Sequence, residues 1–96
     1  MTKADLITQI SENTGIGRET VRNTVEAFMS TIKNSLENGD NVYLRNFGSF
    51  IVKKRAKKYA RHLSKNTAII IPAHYIPSFK PSEKFVSLVK NNNAIS

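Results

Sequence analysis

The stretch Val42-Tyr43-Leu44-Arg45-Asn46-Phe47-Gly48-Ser49-Phe50-Ile51-Val52-Lys53-Lys54-Arg55 decides the architecture, because here the apolar period becomes two. Val42 and Leu44 alternate with Tyr43 and Arg45, as in a half-buried strand. Asn46 to Phe50 reads as a tight turn, with Gly48 where the backbone must fold sharply. A second strand leaves from Ser49, keeps Phe50 and Val52 apolar, and runs into a basic segment.

Upstream the period is helical. Thr2 is an N-cap, with Asp5 three residues on to complete a short-armed capping box. Leu6, Ile7 and Ile10 form an apolar stripe and Gly15 offers a left-handed stop, which predicts a helix near 3–13. A second helix starts after Gly17, with Glu19 at the positive end of its dipole. Val21, Val25, Phe28, Met29, Ile32 and Leu36 recur at three- and four-residue spacing up to Asn38-Gly39. Phe28 and Met29 are expected in the core.

Downstream, Thr67–Ile71 is a third β-type segment, continued by Ile76–Phe79. Pro72 and Pro77 lack an N–H, so this leg belongs at a sheet edge or carries a bulge. Pro81 fits the first turn of a last helix with Phe85, Val86, Leu88 and Val89 on its apolar face, and 91–96 forms a polar tail. If Phe50 lies beside Phe79, the chain between them is a hairpin with legs of roughly 13–14 residues, each over about 40 Å long. A small body cannot cover such a ribbon. The part from Arg55 to Ala73 should stand in solvent, and an isolated ribbon of two strands is marginal there.

Charge follows the same division. Residues 41–82 hold nine Lys/Arg and no acid, whereas residues 1–40 hold four against six Asp/Glu; the whole chain carries +8. The basic set is Arg45, Lys53, Lys54, Arg55, Lys57, Lys58, Arg61, Lys65 and Lys80. A field so confined suits phosphate backbones, where each neutralised phosphate releases counterions. Small Ala56, Ala60 and Ala68 let the ribbon approach a groove floor. A minor groove about 6 Å wide admits such an element and favours arginine. At the tip, Leu63 stands among His62, Ser64, Lys65 and Asn66, placed to wedge between base pairs.

Other chemistry is poorly supplied. The chain has no cysteine, which excludes disulfides and thiolate zinc sites. His62 and His74 have no carboxylate or second ligand nearby in sequence, and Ser49 and Ser64 sit in no nucleophile elbow. No metal, cofactor, small-molecule substrate or catalytic role is expected. The longest apolar run, Ala68–Ala73, is far short of the roughly 20 residues that span a bilayer. Lys3 and Asp5 interrupt any signal peptide, so the expectation is a soluble intracellular protein.

With these residues in view, the chain resembles the bacterial histone-like DNA-bending proteins, HU and integration host factor. The likeness rests on the opening Met-Thr-Lys-Ala-Asp-Leu, Val42–Phe50, Arg55-Ala56, Arg61, Ile71-Pro72-Ala73 and Ile76–Pro81. The resemblance implies an α+β fold: two N-terminal helices, a three-stranded antiparallel sheet with a long protruding hairpin arm, and a C-terminal helix. Two chains would intertwine as a homodimer, or as a heterodimer with a related chain. A single domain, 1–96, would comprise a helical dimerisation part (1–40), sheet and arm (41–82), and closing helix and tail (83–96).

In the family, the positions matching Phe47, Phe50 and Phe79 lie at the heart of the shared core. Arg55, Lys58 and Arg61 would meet phosphates and groove edges, and Lys3, Lys80 and Lys84 would lie on the body against flanking backbone. The family's arm tip reads Arg-Asn-Pro, with proline as the intercalating wedge; here Arg61-His62-Leu63 puts leucine there. Asn46 replaces the usual glycine before the Phe-Gly turn, and Glu83, beside Lys84, replaces a basic or amide residue.

The reading is therefore an architectural protein of the nucleoid that bends and compacts double-stranded DNA, largely without sequence specificity. A site-specific bender of the integration-host-factor kind is the neighbouring alternative, favoured by Phe79-Lys80-Pro81 and the longer tail. A basic RNA-binding protein is the alternative from another class, and an assembly protein using its arms for protein contacts is a third.

Overall fold

The computed structural model describes residues 1–62, 67–93 and 95. Leu63 and Lys65, the expected wedge and its basic neighbour, lie outside the described residues. Along the chain come α1 (Lys3–Thr14), α2 (Arg18–Glu37), β1 (Val42–Leu44), β2 (Gly48–Arg55), β3 (Lys58–His62), β4 (Thr67–Ile71), β5 (His74–Pro81) and α3 (Glu83–Asn92). The chain divides into two compact units, Met1–Ser35 and Leu36–Ser96.

In the first unit the capping box is complete. The Asp5 amide donates to Thr2 Oγ1 at 3.2 Å and the Thr2 amide donates to Asp5 Oδ2 at 2.9 Å. Such a cap contributes about 1 kcal/mol, and its hydrogen bonds from Thr2, backbone first, hold the Asp5 carboxyl below its ordinary pKa. Gly15 ends α1 at φ 76, its amide donating to Ser11 O at 2.9 Å. Only Ile7 and Val21 are buried among the described hydrophobic side chains. Each such burial stabilises by roughly 1.5–3 kcal/mol. Phe28, expected in the core, is 49% exposed and Met29 is half-buried: one chain does not cover the stripe that the helical period creates.

The second unit contains an antiparallel sheet of order β1-β2-β5 and a separate two-stranded ribbon, β3-β4. β2 pairs with β5 from Gly48 opposite Pro81 to Arg55 opposite His74, and Phe50 does face Phe79. β5 is an edge strand, as its Pro77 requires. The register then continues unchanged, since Lys58 faces Ile71 and His62 faces Thr67. The expected continuous legs are nonetheless interrupted over Ala56-Lys57 and Pro72-Ala73. Pro72 has no N–H to give to a ladder, so the two runs of pairing separate there.

Three local expectations are corrected. The turn lies at Arg45–Phe47, where Asn46 takes the left-handed conformation at φ 66 and the Phe47 amide donates to Leu44 O at 3.0 Å. Gly48 already belongs to β2 and is buried. A Cβ there would lie 2.6 Å from Lys80 O and 2.7 Å from the Phe79 ring, so its missing side chain serves close approach. Pro81 closes β5 and is no part of the helix. Ser82 is the N-cap, its Oγ accepting from the Phe85 amide at 3.1 Å while its own amide donates to Phe47 O at 2.9 Å. Finally, Asn91 and Asn92 are helical, so the tail is shorter than composition suggested.

The phenylalanines gather where these segments converge. Ring centroids lie 4.9 Å apart for Phe50–Phe79, 5.3 Å for Phe47–Phe79 and 5.4 Å for Phe47–Phe85. The cluster is unfinished within one chain: Phe47 is 44% exposed and Phe79 38%. Beside it, Phe79, Pro81, Phe85, Val86, Val89 and the Lys90 stem line an open groove of about 470 Å³.

Candidate nucleic-acid interface

Because successive side chains of a strand point to opposite faces, the pairing sorts the sheet into two chemistries. One face carries Val42, Leu44, Phe50 and Val52 beside Phe79 and Pro77. The other mixes Tyr43, Ser49, Ile51, Lys53 and Arg55 with Lys80, Ser78, Ile76 and His74. Ser49 is opposite Lys80 and Arg55 is opposite His74. Lys53, Arg55 and Lys80 therefore share one surface, whereas Lys54 shares the apolar face at its outer end, opposite Tyr75. Charge counting could not separate Lys53 from Lys54; register does.

Beyond Arg55, every described side chain from Ala56 to Tyr59 and from Thr67 to Ala73 is exposed, along with Arg61; Ala60 is half-buried. Within the ribbon Tyr59 and Arg61 lie on one face and Lys58 on the other. Lys57 Nζ sits 5.3 Å from the centroid of the Tyr59 ring, a cation–π contact that places both on the same side. Cations thus project from both faces of the outgoing strand.

Of the remaining expected residues, Arg45 sits in the exposed turn between β1 and β2, and Lys84 in the exposed first turn of α3. Lys3 differs from all of these. Its Nζ donates to Glu26 Oε1 at 2.5 Å, with both side chains about half exposed. That hydrogen bond, then the Lys3 charge and the more distant Arg22 and Lys33, holds the Glu26 carboxyl below its ordinary pKa. The pair is present above the ordinary carboxylate pKa and is lost as pH falls through the lowered one. Of the expected basic set, Lys3 has a carboxylate partner in Glu26.

Sequence reading did not single out Tyr43, Ser78 and His74 as companions of the basic face. The signal was available only as strand parity once the partner of Arg55 is known. Among the described residues no group of three His, Asp or Glu could hold a metal ion, and no helix is long and apolar enough to cross a membrane.

The family model described as bacterial DNA-binding protein matches residues 1–90. The chain belongs to this family of bacterial DNA-binding proteins. It is 36% identical over 90 residues to the DNA-binding protein HU of Thermus thermophilus, with 94% of this chain and 93% of that relative covered. It is 34% identical over 91 residues to the integration host factor subunit alpha of Aliivibrio fischeri, covering 95% and 93%. Among solved structures, the Anabaena HU–DNA cocrystal superposes with a TM-score of 0.88 at 28% identity over 93% of this chain and 97% of that one. A mutant HU of Thermotoga maritima gives 0.72 at 26% identity, covering 94% and 100%. The α+β fold with its hairpin arm is the fold of the family's DNA-binding members.

Proposed function

We propose that this member of the family acts as a dimeric architectural protein, bending and compacting duplex DNA largely without sequence specificity. The observation that carries this reading is the exposed ribbon with cations on both faces and no carboxylate among them. Minor-groove patterns are degenerate and the cationic surfaces belong to strands, so base readout is weak and phosphate contact dominates. Lys53, Arg55 and Lys80 would receive backbone on the sheet face. Lys57, Lys58 and Arg61 would follow the groove, with Arg45, Lys84 and Lys3 on flanking phosphates. Leu63 would serve as the wedge and Lys65 as its neighbouring contact. The incomplete cluster of Phe47, Phe50 and Phe79 supports a second chain completing the core, with 1–96 working as one domain. Binding and deformation of DNA need no catalytic group, and the place of action is the bacterial nucleoid.

The test is the salt dependence of duplex binding. If the dimer neutralises roughly eight phosphates, the slope of log K against log salt is about −7; a salt-independent constant removes the proposal. The similar identity to a relative named integration host factor subunit alpha supports a second reading, site-specific bending with a related chain as partner. Equal affinity for random and selected duplexes at physiological salt would exclude it.

A further inference from the structure

The arm is basic on one edge and apolar on the other. β3 carries Lys58 and Arg61, with Lys57 just before it, whereas β4, Thr67-Ala68-Ile69-Ile70-Ile71, carries no charge at all. Each strand has only the other as partner, so both present an unpaired backbone edge. Every residue of β4 is exposed, and Ile69, Ile70 and Ile71 are 38%, 56% and 37% accessible. Natural proteins blunt free edges with lysine, arginine, proline or a bulge. Here the cations guard β3, and among the described residues the device beside β4 is Pro72, beyond its end. Phosphate recognition explains the first edge and leaves the second without a use.

We propose that β4 of one molecule pairs antiparallel with β4 of a second, joining two arms into a four-stranded ribbon that links separate assemblies. The strand is suited to a two-fold arrangement. With Ile69 on the axis, Ile69 meets Ile69, Ile70 meets Ala68 and Ile71 meets Thr67, all apolar or neutral pairs. Electrostatics selects this edge over the other. Pairing β3 with β3 would bring like cations to about 5 Å, whereas β4–β4 pairing leaves the two β3 strands three spacings, about 14 Å, apart. That exceeds the Debye length of about 8 Å at physiological salt, so the repulsion is screened. The gain is order, since a ribbon of two strands is marginal and one of four is not. The short strand makes the contact weak for a single pair of arms, and it serves arms that are not seated in a groove.

The chain has no native cysteine, so single substitutions report the contact cleanly. Full-length Ile69→Cys and Tyr59→Cys proteins are oxidised without DNA in high salt, and the products are weighed under native conditions. Directly opposed strand residues fall within the Cα separation of about 4.4–6.8 Å that closes a disulfide, so Cys at 69 should cross-link at least about tenfold faster than Cys at 59. The native mass should rise at least twofold, and Ile70→Lys added to Ile69→Cys should abolish the effect. Equal rates at the two positions, cross-links that leave the native mass unchanged, or indifference to Ile70→Lys each overturn the proposal. DNA is absent from the test, so its outcome is independent of the duplex-binding reading.

Discussion

The two halves of one hairpin obey a single register and have opposite fates. From Gly48–Arg55 against His74–Pro81 the strands have a third strand, β1, beside them, and Phe79 lies against Phe47, Phe50 and Phe85. From Lys58–His62 against Thr67–Ile71 the same alternation continues with no third strand and with nearly every described side chain in solvent. Pairing alone therefore does not distinguish body from arm. What differs is whether an apolar face finds another apolar face: Phe79 packs on its neighbours, whereas Ile69, Ile70 and Ile71 of the arm share their faces with Lys58, Tyr59 and Arg61 and stay exposed.

The largest expected effect breaks the body half. Gly48→Ala drives a Cβ into Lys80 O and the Phe79 ring, and should cost about 2–3 kcal/mol in denaturant unfolding. A loss below about 0.5 kcal/mol would show that β5 can retreat without consequence. The next breaks the arm alone. Arg55→Ala with Arg61→Ala should flatten the salt slope for duplex binding from about −7 to about −3.5, because two phosphate contacts are lost from each chain of the dimer and each removes about 0.9. Its melting temperature should stay that of the parent; a lowered one would mean the arm supports the body after all.

A smaller effect sharpens the boundary between the halves. Pro72→Thr restores an N–H opposite Lys57, so amide exchange in the ribbon should slow while global stability stays unchanged. Unaltered exchange would assign the break to something other than proline. Smallest is Glu26→Gln, which releases Lys3 from its carboxylate partner. Duplex affinity should rise modestly at low salt and match the parent at high salt, as expected of an exposed pair. Lowering the pH through the depressed Glu26 pKa should produce the same rise in the parent protein and none in the variant.

Much of this was legible residue by residue. Thr2 and Asp5 announce their capping box because the whole device lies within one turn of chain. Phe50 beside Phe79 is the premise from which the hairpin is counted out, and the register places the two opposite each other. The misreadings share a cause. Gly48 resembled a turn glycine, but Asn46 could hold the turn, and only the approach of β5 explains why no side chain fits at Gly48. Pro81 resembled a helix start because Pro favours a first turn, yet its pairing with Gly48 keeps it in the strand and passes the cap to Ser82. Phe28 satisfied the helical period and is still half in solvent, since periodicity states which face is apolar and not what covers it.

By itself, then, the amino-acid order determined the helices, the change of period at Val42, the long hairpin and the confinement of positive charge to it. These are short-range properties: caps, alternation and composition act between neighbours in the chain. Tertiary structure alone decided that Lys53 and Arg55 share a face with Lys80 while Lys54 does not, that Lys3 is held by Glu26, and that an uncharged β4 is left as a free edge. Those facts depend on which distant segments lie side by side, and proximity across space is set by the fold rather than by any local pattern.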